Sequence, residues 1–372
     1  MTTHRPLCPE GRAAQTEPGS VPCPQASRPY VLAATILASA MGFIDGTVVT
    51  IALPAIQQDF NTSFATLQWV VNIYALILGS LILIGGSAGD LFGRRLVFLI
   101  GIGIFTAASI GCALAPSALV LIGARALQGA GAALMIPQSL AIIAASFPKD
   151  ARGRAIGIWA GASAITTALG PPLGGFLIDA FDWRTVFWIN PPIALAVVWL
   201  TWTHIPESRN EARGGSLDWL GGLLALTGFG ALTLALTTAS EAVDISAFVM
   251  LWFAIGVIGV AAFLYTERRA ADPIMPLSLF RNASFSGANL TTLLLYGSFS
   301  AVLFLLPFDL IERRGYAASE VGLILLPIGL VIGVGSRFAG KWSDTAGPRP
   351  PLIIGSLIVA VAAMLFALNI SA

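Results

Sequence analysis

Eleven stretches of about twenty apolar residues follow one another along the chain, and they leave few folds open. They run near 30–53, 69–88, 96–115, 118–143, 155–178, 185–203, 217–237, 247–265, 287–308, 319–338 and 351–370. Each matches the ~20 residues an α-helix needs to cross the hydrocarbon of a bilayer. In that solvent every backbone N–H and C=O must be bonded within its own segment, so spans of this length fold as helices. The expectation is an all-α, polytopic membrane protein of about eleven transmembrane helices. Composition agrees. Only 10% of the residues are charged and 56% are hydrophobic, whereas a soluble domain carries ~25% charge. So few charges could not cover a soluble surface.

The short gaps between spans carry a directional signal. Alternate gaps hold Arg5, Arg12, Arg28; Arg94, Arg95; Lys149, Arg152, Arg154; Arg209, Arg213; Arg268, Arg269, Arg281; and Arg337, Lys341, Arg349, sixteen of the 20 basic residues. The opposite gaps hold Arg184, Arg313 and Arg314, with Glu312 placed to offset part of the last two. Basic loops stay on the cytoplasmic side, so the N-terminus is expected in the cytoplasm. A formal charge of +1 gives no global field for nucleic acid. Cys8, Cys23 and Cys112 have no paired spacing, and His4 and His204 lie outside the spans. Neither a metal site nor a disulfide scaffold is expected. No H-E-x-x-H pattern and no nucleophile with a base is present, so an enzyme is not expected. The Pro-rich residues 1–29 lack apolar periodicity and are expected to be disordered.

Inside the apolar spans, a few polar residues carry the chemistry. Asp45 sits in the first span, where a carboxylate costs ~2.5–3.5 kcal/mol at the bilayer centre. A carboxyl group in so apolar a setting can take up and release a proton near neutral pH. The plainer reading is a wet residue near the outer end of its helix. Arg125, with Gln128 one turn on, opens the fourth span. It either pairs with a carboxylate or snorkels to the interface. Gly170-Pro171-Pro172-Leu173-Gly174-Gly175 interrupts the fifth span with residues that remove a helix hydrogen bond and bare the backbone. It is either a working bend or a packing kink. Asp309 ends the ninth span, at the outer mouth of a path or simply at the edge of the membrane. Trp69, Tyr74, Trp159 and Trp188 supply rings for a cavity or for the lipid belt.

A short pattern occurs twice. Gly86, Asp90, Gly93, Arg94 and Arg95 follow the second span; Gly340, Asp344, Gly347 and Arg349 follow the tenth. Both read G-x-x-x-D-x-x-G with arginine after, which suggests two related halves. Asp90 can cap a helix N-terminus, and the arginines can pair with acids across the space between the halves.

On these residues the chain resembles the major facilitator superfamily, and within it the 14-span drug:proton antiporters. Asp45 to Pro54 is similar to that group's first-helix motif, Gly86 to Arg95 to motif A, Arg125 to Ala133 to motif B, and Ala168 to Gly175 to the antiporter motif C. Thr50, Leu91 and Thr166 depart from the usual residues. The resemblance implies a helical bundle with inverted repeats. Its parts are a cytoplasmic tail at 1–29, a six-helix bundle at 30–203, a linker region with two extra helices at 204–270, and a partial C-terminal bundle of three helices at 271–372. It implies a monomeric exporter in the lipid bilayer of a bacterium's cytoplasmic (inner) membrane, exchanging protons for a small drug-like molecule by alternating access. The proton gradient is the energy source and no cofactor is needed. Proton coupling or substrate binding falls on Asp45, Arg125 and Gln128, gating on the two G-x-x-x-D-x-x-G copies, and antiport direction on the bend at Gly170, Pro171, Gly174 and Gly175. The last three helices expected of such a transporter are missing, as in a truncated chain. An accessory membrane protein without transport activity, or a metabolite importer, stands as the alternative.

Overall fold

Every one of the eleven apolar stretches is helical in the computed structural model, which describes residues 26–209, 218–241, 246–270, 277–347 and 349–370. The helices are α1 (Arg28–Phe60), α2 (Phe64–Phe92), α3 (Arg94–Ala113), α4 (Ala118–Ser146) and α5 (Lys149–Ala180). The sixth span is built from α6 (Thr185–Trp188) and α7 (Asn190–His204). Then come α8 (Trp219–Glu241), α9 (Ala247–Glu267), α10 (Ala283–Phe308), α11 (Ala318–Ala346) and α12 (Arg349–Ile370). Among the described residues nine spans are long and apolar enough to cross a membrane, while α11 and α12 carry shorter apolar stretches at 318–329 and 349–365.

The helices overrun the apolar stretches that announced them. α1 has 33 residues, about 50 Å at 1.5 Å per residue, well beyond a ~30 Å hydrocarbon core. Arg28 and Pro29, read from sequence as tail, already lie in α1, because proline suits a first helical turn whose N–H groups have no partner. Cys8, Cys23, His4 and the rest of the tail to residue 25 lie outside the described residues. The polar residues between spans act as caps. Ser63, Ser117 and Ser246 accept from the amides of Thr66, Val120 and Val249, and Asn282 from those of Ser284 and Phe285, which satisfies amides the helix cannot reach itself.

In the first six spans α4 packs between α2 and α3, and α1 lies against α4, α5 and α7. α8 pairs with α9 and rests on α2, and α11 packs along α5. The first six spans enclose two apolar clusters. One is built around Met41, Phe98, Phe105 and Met135, and the other around Leu53, Leu67, Leu121 and Phe187. A third cluster, Ile51 with Ala318, Val321 and Leu325, joins α1 to α11.

Candidate functional site

Five of the first six spans send polar side chains to one point. Asp45 of α1 and Arg125 of α4 form an ion pair through Asp45 Oδ2 and Arg125 Nη1. Each residue is 1% exposed. Arg125 therefore does not snorkel, and Asp45 is not a wet residue at a helix end. Arg125 also donates from Nη1 to Gln128 Oε1 at 2.8 Å and from Nε to the Val70 carbonyl of α2 at 3.2 Å. Gln128 returns a bond from Nε2 to Asp45 Oδ1 at 3.0 Å. The ring of Tyr74 lies over the guanidinium, 4.4 Å from its carbon, and the Tyr74 hydroxyl donates to the Gly42 carbonyl. Helical spacing assembles this. Arg125 and Gln128 are three residues apart and share a face, as do Ser109 and Cys112 of α3. Ser109 accepts from Gln128 Nε2 at 2.8 Å, and the Cys112 thiol donates to Gln128 Oε1 at 3.3 Å. Asn190, at the start of α7, donates to Ser109 at 3.1 Å.

Two buried charges lose several kcal/mol of hydration each, which mutual attraction offsets only when the remaining donors and acceptors are met. Here the Val70 carbonyl of α2 and the Gln128 amide of α4 bond to the pair, and Ser109 and Cys112 of α3 bond to Gln128 in turn. Beyond Arg125, the Gly129 and Gly131 positions leave room for α2 and α3: a Cβ on Gly131 would come to 2.5 Å from the Phe105 amide nitrogen. A second, wholly neutral cluster lies further along α1, where Ser39 donates to Ser139 and receives Trp159 Nε1, both at 3.0 Å.

The G-x-x-x-D-x-x-G turn is also resolved in its first copy. Asp90 holds Arg94 at 2.8 Å. Gly93 has φ 111, a left-handed value that favours glycine. The cap on α3 comes from Glu207, beyond the end of α7: its carboxylate accepts from the Arg95 and Leu96 amides, both at 3.0 Å. Arg95 donates to the Trp202 carbonyl at 3.2 Å and lies over the Trp202 ring. The arginines thus bond within the first six spans, and the expected pairing across the space between halves is not their arrangement. In the second copy Gly347 ends α11 with φ 83, the counterpart of Gly93. Gly340 and Asp344 lie in α11, but their side chains fall outside the described residues.

The segment expected as a bend lies within the continuous helix α5, and its small residues are where neighbours touch. Gly170 and Gly174 face Thr47 and Val48 of α1. A Cβ on Gly175 would run into the Ala318 carbonyl of α11, and one on Gly322 of α11 into the Pro171 carbonyl. At the end of this seam Asp179 accepts from the Ala318 and Ser319 amides at 3.2 and 2.8 Å. Phe64 meets Phe304 and Phe308 edge-on nearby. Asp309 stands in a π-helical turn after α10, bonded to Arg313 at 3.1 Å and Arg314 at 2.8 Å. Asp309 thereby bonds both arginines, beside the Glu312 expected to offset part of their charge.

The family profile described as Major Facilitator Superfamily matches residues 35–371. The chain belongs to that superfamily. Among curated proteins, "Multidrug resistance protein Stp" of Mycobacterium tuberculosis (strain CDC 1551 / Oshkosh) is 38% identical over 328 residues, 86% of this chain and 60% of its own length. "Tetracenomycin C resistance and export protein" of Streptomyces glaucescens is 35% identical over 331 residues, 88% of this chain and 61% of its own length. The chain thus spans about 60% of the length of these relatives. A solved bacterial homolog of the human lysosomal transporter Spinster superposes with a TM-score of 0.56 at 20% identity, covering 88% of this chain and 64% of that one; it shares the Major Facilitator fold. The structure brings Asp45, Arg125 and Gln128, all expected from sequence, into one bonded group; Ser109, Asn190, Glu207 and Asp179 were not expected from sequence. Tyr74 was expected only as one ring among several.

Proposed function

We propose that the chain exports small drug-like molecules in exchange for protons, working as a monomer by alternating access. The carrying observation is the fully buried Asp45–Arg125 pair closed by Gln128. A carboxylate so enclosed touches no surface at which a bulky substrate could bind, so it is read as the proton site. Arg125 stays paired with it until a proton or a movement of α1 against α4 releases it. The names of the resistance and export proteins it resembles support a drug-like substrate. The basic loops support a cytoplasmic N-terminus, and the bacterial sources of the relatives support residence in a bacterial cytoplasmic membrane. On that orientation Asp179 and the Phe64–Phe304–Phe308 cluster lie at the outer end, where α10 and α11 meet the first six spans. Opening outward would separate them, and the two G-x-x-x-D-x-x-G turns would serve the inner end.

The test uses inverted vesicles carrying the full chain, with an acidified lumen. Adding a transported antibiotic from a panel of hydrophobic drugs is expected to release protons, and Asp45→Asn is expected to abolish the release. Undiminished release by Asp45→Asn would remove Asp45 from the coupling role.

A further inference from the structure

The hydrogen bonds around Gln128 can be assigned a direction, atom by atom. Ser109 has one hydroxyl proton and two lone pairs. The proton goes to the Phe105 carbonyl one turn back in α3, at 2.8 Å. The lone pairs receive Gln128 Nε2 at 2.8 Å and Asn190 Nδ2 at 3.1 Å. The Ser109 oxygen is then saturated. Gln128 must present its NH2 group to Ser109, and its other Nε2 proton reaches Asp45 Oδ1. Its Oε1 faces Arg125 and the Cys112 thiol. A reversed amide would point Oε1 at a serine whose proton is engaged and at a carboxylate that only accepts.

We propose that Ser109, steadied by Asn190, is a positioning residue that locks the Gln128 amide in the orientation favouring ionised Asp45. The proposal rests on the reading of Asp45 as a proton-exchanging group. A proton on Oδ1 would meet the Gln128 NH2, and one on Oδ2 would meet Arg125 Nη1. A protonated Oδ1 can still accept from that NH2, but weakly. Its proton would gain an acceptor only if Gln128 turned its Oε1 toward Asp45, and a turned amide would set its new arrangement against a Ser109 proton held by the Phe105 carbonyl. The lock ties the charge on α1 to the positions of α3, α4 and α7. Asn190 is 1% exposed and its Oδ1 has no partner. A buried acceptor left unmade is costly, so an apolar residue would pack there at lower cost; the bond to Ser109 is what the asparagine adds. The other charged or titratable groups facing Asp45 are Arg125 of α4, Tyr74 of α2 and Cys112 of α3. α5 meets this part of α1 through Thr47 and the Thr167 carbonyl, and α10 and α11 meet α1 through apolar side chains.

Infrared difference spectra of the purified full chain, wild type against Asp45→Asn, isolate the Asp45 carboxyl band without any transport. In Ser109→Ala the ratio of protonated to ionised Asp45 at a fixed pH is expected to rise about three- to ten-fold, the scale of one neutral hydrogen bond. Asn190→Ala is expected to shift it the same way by less, and carries the test if Ser109→Ala does not fold. Ser109→Thr, which keeps the hydroxyl, is expected to match wild type. An unchanged ratio in Ser109→Ala and Asn190→Ala, or a threonine variant that behaves like alanine, overturns the lock while Asp45 still titrates. If Asp45→Asn removes no titrating band, the proton reading of Asp45 and the lock fall together.

Discussion

The Asp45–Arg125 pair joins residues 80 positions apart, with both side chains at 1% exposure or less, whereas Asp309 meets Arg313 and Arg314 four and five residues along one turn, with those arginines 61% and 49% exposed. The chemistry is the same, but the second setting is half open: the Asp309 side chain is 8% exposed and only its arginines face outward. Removing one partner of the fully buried pair leaves a charge with neither water nor counter-ion, while arginines freed from Asp309 already face solvent and salt, which take up the loss. The first pair also needs Gln128, Ser109, Tyr74 and the Val70 carbonyl around it; the second needs only a turn. A carboxylate–arginine contact read from a list of distances therefore says little until its surroundings are counted.

Arg125→Met should have the largest effect. Leaving Asp45 alone in the interior is expected to cost ~3–5 kcal/mol, seen as a fall in the temperature at which the detergent-solubilised chain loses its monodisperse peak. Adding Asp45→Leu in the same chain is expected to restore that temperature to wild type or above, because apolar replacements of a buried pair are often neutral or stabilising, while proton release stays absent. A double variant as unstable as the single one would mean that burial of the charge does not separate the two sites. Between the extremes stands Glu207→Ala, which strips the cap from α3 and is expected to cost ~1 kcal/mol in the same thermal assay. Asp309→Asn should be smallest, under about 1 kcal/mol, with a shift in unfolding temperature that disappears as salt is raised; a salt-independent loss would place Asp309 with Asp45.

The spans were legible because each must satisfy its own backbone in lipid, and that leaves a run of apolar residues no sequence can disguise. Asp45 and Arg125 were legible for the converse reason, as charges standing where charges are costly. Ser109 was not. A hydroxyl in a membrane helix commonly bonds its own preceding turn, as Thr35 does to Val31 and Thr106 to Ile102, and sequence does not distinguish those from a serine that also receives Gln128. The three-residue spacing of Ser109 and Cys112, matching that of Arg125 and Gln128, was the available hint. Glu207 was hidden by distance, since it caps amides 111 and 112 residues away, and Asp90 looked the nearer candidate for that part. Asp179 was hidden because a carboxylate at a helix end reads as a membrane boundary, and its partners are the amides of α11.

Gly93 and Gly347 close the second helix of each repeat with the same unusual backbone sign, φ 111 and φ 83. The duplication supplies an internal control that the molecule carries with it. In one copy an added methyl would meet the Glu207 carboxylate, and in the other no described residue lies within 4 Å of it. Alanine at the two positions therefore separates the strain of the turn itself from the crowding around it, within one chain and one preparation.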